Sequence, residues 1–332
     1  MAAILPVLLP LLLAAGPVSA ADADAKIVNG EEEDGYDATV ALGASLGSNT
    51  FSACTGSLIT PRVILSAAHC GADIPLELVV SAGVAFFGPD ILDPDFTIGF
   101  EDMAVHPDYV ELANGMGGTL GENDVAVLIL AEDAPDSVAP FWLRQEELTE
   151  DLEGAMMTSI GFGITGSDGR GSGTKRSVEL RLDEVDDVFL LSEGDATEGE
   201  GQICSGDSGG PQVVTLEDGR VQQWAVHSWG DQDCESVSGS TRVDVVYSWV
   251  TDQVEAVHGT RDYCEINGRY GDGVCDTFCE GSDPDCEDAV ADASEDEDKG
   301  RCSTVALNAA VVPGLLAMAA VLGRRRERDD VC

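Results

Sequence analysis

The chain predicts an all-β domain closed by one helix, then a small disulfide-rich segment and an apolar tail. Three observations carry this. Between Ile27 and about His258, short β-branched runs alternate with Gly-, Asp- and Ser-rich turns, the pattern of a sandwich or barrel. Asp244–His258 sets Val246, Trp249, Val250, Val254 and Val257 at helical spacing, which predicts one amphipathic helix. Ten cysteines, four of them gathered at Cys264, Cys275, Cys279 and Cys286, predict a chain stapled in an oxidising compartment. The expected strands are Ser57–Ile59, Val63–Ser66, Leu78–Val80, Val125–Leu130, Ala155–Ile160, Gln212–Leu216 and Trp224–His227.

Of 332 residues, 62 are Asp or Glu and 17 Lys or Arg, for a formal charge of −45. That sign excludes electrostatic capture of nucleic acid and fits a soluble, self-repelling exported protein. Hydrophobic residues make up 44% of the chain, enough for a sizeable core. The first 20 residues are apolar, with Leu8–Ala15 as the hydrophobic stretch and Val18-Ser19-Ala20 as the cleavage site of a secretory signal peptide. Residues 21–26 form a polar leader and 27–258 the β domain. Residues 259–287 form the Cys-rich Asp/Gly module, and 288–301 an acidic linker expected to be disordered.

The tail, residues 302–332, opens on Cys302 and continues with an apolar stretch, 303–323, long enough to cross a bilayer as a helix. Arg324, Arg325, Arg326 and Arg328 follow it and orient their end toward the cytoplasm. Together these features resemble a myxobacterial-type C-terminal sorting signal. The resemblance implies processing near Cys302 and attachment at the cell surface or outer envelope, with release from the cell as a further outcome. A plain single-span anchor is the alternative. The four cysteines of the module form two disulfides with one of three connectivities, or a four-thiolate zinc site, which their spacing disfavours.

The chemistry rests on three segments. Ser66-Ala67-Ala68-His69-Cys70 supplies a histidine, Glu122-Asn123-Asp124 an aspartate before the apolar run Val125–Leu130, and Gly206-Asp207-Ser208-Gly209-Gly210-Pro211 a serine between glycines. A serine hydroxyl needs a base to take its proton during attack, and histidine titrates in the right range. A buried carboxylate fixes the imidazole tautomer and stabilises the imidazolium. Ser208, His69 and Asp124 are therefore the candidate nucleophile, base and orienting acid. The backbone N–H groups of Gly206 and Ser208 are the candidate oxyanion donors. No cofactor is required.

With Ile27-Val28-Asn29-Gly30, Val105-His106-Pro107-Asp108-Tyr109 and Ser228-Trp229-Gly230 added, residues 27–258 resemble a trypsin/chymotrypsin-family serine protease. The resemblance implies two six-stranded antiparallel barrels with the site between them, and a protein or peptide substrate. It implies a zymogen opened after Lys26 by an activating protease, with the freed Ile27 amine received by Asp207. It implies disulfides Cys54–Cys70 and Cys204–Cys234, and a primary pocket formed by Gln202, Ser228, Trp229, Gly230 and Ser238. At the floor, Gln202 stands where trypsin-like members carry aspartate, which removes the main Coulombic cause of Arg or Lys selection; Asp231 and Asp233 remain as weak attractors. His106 and His227 are expected to be structural, and His258 to favour the helix C-terminus as a cation. The competing reading is a catalytically silent surface binding or adhesion protein on the same scaffold.

Overall fold

The structure is a computed structural model that describes residues 27–46, 49–113, 119–166, 169–279 and 281–286. The segments expected to be a signal peptide (1–20), a leader (21–26), a linker (288–301) and an anchoring tail (302–332) lie outside the described residues. Among the described residues, no helix is long and apolar enough to cross a membrane.

Six strands of the first half close into a barrel: β1 (Thr39–Leu46), β2 (Asn49–Thr60), β3 (Val63–Ser66), β4 (Gly83–Phe87), β5 (Phe96–Val105) and β6 (Ala126–Leu130). Hydrogen bonding runs β1-β2-β3-β6-β5-β4 and returns to β1. All four residues of β3 are buried because both of its faces are covered. Ile64 points to the barrel core with Val40, Leu58, Phe87 and Leu128. Val63 and Leu65 point outward to helix α2 (Val243–His258) and meet Val243, Val246, Val250 and Val254. Strand alternation and helical spacing thus interlock on one element.

The second half departs from the expected barrel. Its main strands are β7 (Met156–Gly161), β8 (Arg176–Arg181), β9 (Phe189–Glu193), β10 (Pro211–Thr215), β11 (Val221–Gly230) and β12 (Val237–Arg242). With three two-residue strands they form a nine-stranded sheet that is an open path, β8-β7-β10-β11-β12-β9, not a closed ladder. Glu31–Glu32 occupies the free edge of β8, and Glu184–Val185 that of β9. The chain itself joins the two ends: Leu182 donates to the Ala155 carbonyl and accepts from the Gly154 N–H, and the next residue, Asp183, donates to the Leu191 carbonyl. Covalent continuity replaces the missing rung.

A second correction concerns Leu78–Val80, which belongs to helix α1 (Leu76–Ala82) and not to a strand. Pro75 stands at the helix N-cap, where its fixed φ and missing N–H cost nothing. Only Val79 is buried; Leu76, Leu78 and Val80 face solvent.

The Cys-rich segment belongs to the compact unit that ends at Cys286. Its disulfides are Cys264–Cys279 and Cys275–Cys286, which excludes a zinc site on those thiols. Asp262 caps the short helix Tyr263–Ile266 by accepting from the N–H groups of Cys264 and Glu265. Phe278 meets Trp142 edge-on, 4.9 Å between centroids, and the Arg220 guanidinium lies 3.7 Å over its ring. Phe278→Ala is expected to cost about 1–2 kcal/mol and to speed amide exchange across Cys264–Cys286 while the barrel strands stay protected. Unchanged exchange there would mean that the disulfides alone hold the segment.

Candidate active site

Asp124 begins the turn into β6 and is buried, with 1% of its surface exposed. Its Oδ1 accepts the backbone N–H of His69 at 2.9 Å, and its Oδ2 lies 2.7 Å from His69 Nδ1. The hydroxyl of Ser228, on β11, donates to the same Oδ2 at 2.6 Å. One carboxylate therefore holds both the backbone and the ring of His69, and leaves Nε2 as the free ring nitrogen. The preceding Asn123 adopts φ 52°, a left-handed conformation that asparagine tolerates, and its side-chain amide donates to the Asp108 carbonyl.

The serine loop is pinned against this turn. Thr55 donates its N–H to the Ser208 carbonyl at 2.8 Å and its hydroxyl to the Gly206 carbonyl at 2.9 Å. Gly209, at φ +81°, touches the first barrel so closely that a Cβ would sit 2.0 Å from Ser66 Oγ and 2.8 Å from the Ala67 nitrogen. Only glycine fits that backbone approach and that dihedral. Within the loop, the N–H groups of Asp207, Gly209 and Gly210 go to the carbonyls of Cys204, His227 and Asp207. Those of Gly206 and Ser208 donate to no group among the described residues. The hydrogen bonds of His69 run to Asp124, and one to the Ser208 hydroxyl is not among them.

Cys54–Cys70 and Cys204–Cys234 are both formed, one beside His69 and one beside the cleft. Ligand atoms of Cys54, His69 and Cys70 lie within 4.8 Å of one another, but the disulfide removes the thiolates a metal would need. Ile203, Ser205, His227, Trp229 and Gly230 line the cleft next to Ser208. Gln202 and Ser238 are buried outside that lining. Gln202 is held by Val28 through the backbone, and Ser238 stands in register with Gly230. Asp231 does not present a free charge: its carboxylate accepts from the N–H groups of Asp233, Glu235, Ser236 and Val237. Burial alone would raise its pKa, yet these bonds hold it down to about 2.

Two placements escaped sequence reasoning. Ser228, expected in the primary pocket, lines the cleft and also donates to Asp124, and His227, expected to be structural, lines the cleft; neither placement has a local signal, because each depends on where β11 lies against another element. His106 is structural as expected, 4.8 Å from the Trp249 ring. His258 is not held as a cation: burial lowers its pKa, and Nε2 pairs with Thr60 Oγ1 at 2.9 Å.

Ile27 is fully buried, and Val28 bridges to Gln202. Asp207 is buried too, with two backbone donors, Gly163 and Cys204, each at 2.8 Å. Burial pushes its carboxyl up to about 7, and those N–H groups and the Arg176 charge offset this only in part. The folded state therefore holds this proton more tightly than the unfolded chain. The contribution of Asp207 to the stability of the uncut chain is full below a pH of about 4 and is lost as the pH rises to about 7. In a Ser208→Ala background, Asp207→Asn is expected to flatten that decline in urea melts between pH 4 and 8 (an approximate window set by the same two limits). An unchanged slope would assign the decline to other groups. Gly209→Ala is expected to abolish activity and to destabilise the fold by roughly 2 kcal/mol or more, read by thermal denaturation.

Residues 27–250 match the family model described as Trypsin. Chymotrypsin of Phaedon cochleariae is 29% identical over 254 residues, covering 69% of this chain and 82% of its own length. Lectizyme of Glossina austeni is 26% identical over 268 residues, covering 72% and 91%. The CLIP domain-containing serine protease B10 of Anopheles gambiae is 29% identical over 209 residues, and the match takes in 56% of that protein's length. The matched segment runs from the buried Ile27, through the His69, Asp124 and Ser208 loops, into α2, and the chain belongs to the trypsin family of serine endopeptidases.

Proposed function

We propose that this protein is an exported serine endopeptidase made as a zymogen, and that Ser208 attacks the scissile carbonyl of a protein or peptide substrate. His69 takes the hydroxyl proton through Nε2 and returns it to the leaving amine; Asp124 orients the ring and stabilises the imidazolium. The acyl-enzyme formed on Ser208 is then hydrolysed by water, with His69 again as base. The unengaged N–H groups of Gly206 and Ser208 receive the oxyanion, where removal of one donor typically costs about a hundredfold or more in rate. The observation that carries this reading is the double hold of Asp124 on His69, reinforced by Ser228.

Cleavage after Lys26 frees the Ile27 amine, and the resulting cation is the partner that the buried Asp207 lacks. A buried carboxylate gains strongly from such a partner, so the cut stabilises the serine loop. Four disulfides fit an oxidising, extracellular setting. Attachment through the 302–332 tail is part of the same proposal, and a mature protein still carrying Arg324–Arg326 would exclude its processing.

The test is labelling with a fluorophosphonate on chain opened after Lys26. Labelling is expected on Ser208, absent in Ser208→Ala and weak in uncut chain. Asp124→Asn is expected to lower kcat by roughly 10⁴-fold, as neutralising that carboxylate does in other triad enzymes. A correctly opened chain that neither labels nor cleaves peptides would instead support a silent binding protein.

A further inference from the structure

The cleft beside Ser208 has a volume of about 270 Å³ and a partly polar interior. His227, from β11, lines it and is fully buried. Its Nδ1 lies 3.1 Å from Ser240 Oγ on the neighbouring strand β12, and its Nε2 has no hydrogen-bond partner among the described residues. Trp229 Nε1, on the same strand and in the same lining, is also buried without a hydrogen-bond partner among the described residues. Gln202 Nε2 and Ser238 Oγ are unpartnered too, but neither residue lines the cleft. Each unmet buried polar group costs about 1–3 kcal/mol, so two in one cleft call for a ligand group to meet them.

The chemistry of the two sets the sign of that group. An indole N–H can only donate. With the Ser240 hydroxyl donating to Nδ1, His227 presents Nε2–H as a second donor. Asp231, the charged residue on the wall, has its carboxylate filled by its own loop, and Ser228 gives its hydroxyl to Asp124. Burial alone lowers His227 to about 3, with no charged neighbour acting on it, so the ring is neutral while the cleft is empty.

We propose that this cleft selects a substrate side chain ending in a carboxylate, on the residue whose carbonyl Ser208 attacks, and that His227 is the residue that recognises it. An entering carboxylate accepts from the His227 and Trp229 donors and favours the imidazolium form of His227, which adds an ion pair inside the cleft. A carboxamide meets the donors without the charge. A Lys or Arg side chain finds donors where it needs acceptors, and an aliphatic one leaves them unmet. This rests on the reading of Ser208 as nucleophile.

The test uses opened full-length enzyme and peptide substrates that differ only at this position: Glu, Asp, Gln, Leu, Phe, Lys and Arg. One of the two acids is expected to exceed Gln about tenfold in kcat/KM, and Leu, Phe, Lys and Arg by about a hundredfold or more; comparison of Glu with Asp reads the depth of the cleft. His227→Gln keeps a donor without a titratable charge and is expected to bring the acid-to-Gln ratio near one. Ser240→Ala, which releases Nδ1, is expected to lower the same ratio. Fluorophosphonate labelling of each variant reports that the fold and Ser208 are intact. Labelling together with an equal or greater rate on Leu, Phe, Lys or Arg would overturn the proposal alone. Absence of labelling in the parent enzyme would overturn the nucleophile reading and this inference with it.

Discussion

A buried carboxylate must collect donors, and Asp124 collects them from both halves of the molecule. Two come from His69 in the first barrel, and the third is the Ser228 hydroxyl on β11. This constraint ties the relative placement of the halves to the orientation of one imidazole. A shift of β11 against the barrel would strip a donor from a group that is 1% exposed, so the geometry of the site and the stability of the interface are the same requirement.

Strand β2 does the rest of the joining. Thr55 binds the Ser208 and Gly206 carbonyls and accepts from the Phe162 N–H, while Ser57 donates to Gln223 Oε1 at 2.7 Å. Apolar packing runs through the same seam, since Ile160 and Val213 of the second half belong to the barrel's core cluster. Polar bonds at this seam set register, and packing supplies most of the favourable free energy. The serine loop is thus shaped by the other half of the chain as much as by its own glycines.

Much of the fold was legible in advance because local pattern and environment agreed. The helix Val243–His258 followed from its apolar spacing, and Val63–Ser66 from an unbroken apolar run. The pattern misled at Leu78–Val80, where β-branched residues sit in a helix because Pro75 starts it and one inward side chain is enough to anchor it. It also gave no sign that the second sheet stays open, because ladder closure depends on how the chain turns at Leu182–Asp183 and not on the strands themselves. Among the four histidines, sequence context separated His69 from the others, but it gave no sign that His227 lines the cleft.

By itself the sequence determined the residue types that chemistry demands: a hydroxyl, an imidazole and a carboxylate in motifs specific enough to identify the family, with cysteines placed to brace them. It also determined that an uncharged residue, Gln202, stands six residues before Ser208. Tertiary structure alone decided which polar atoms are satisfied. Asp231 is spent on its loop, Ser228 serves Asp124, and His227 Nε2, Gln202 Nε2 and Ser238 Oγ are left without partners. The reason is physical: a motif constrains neighbours along the chain, whereas the satisfaction of a buried donor depends on atoms brought to it from distant strands.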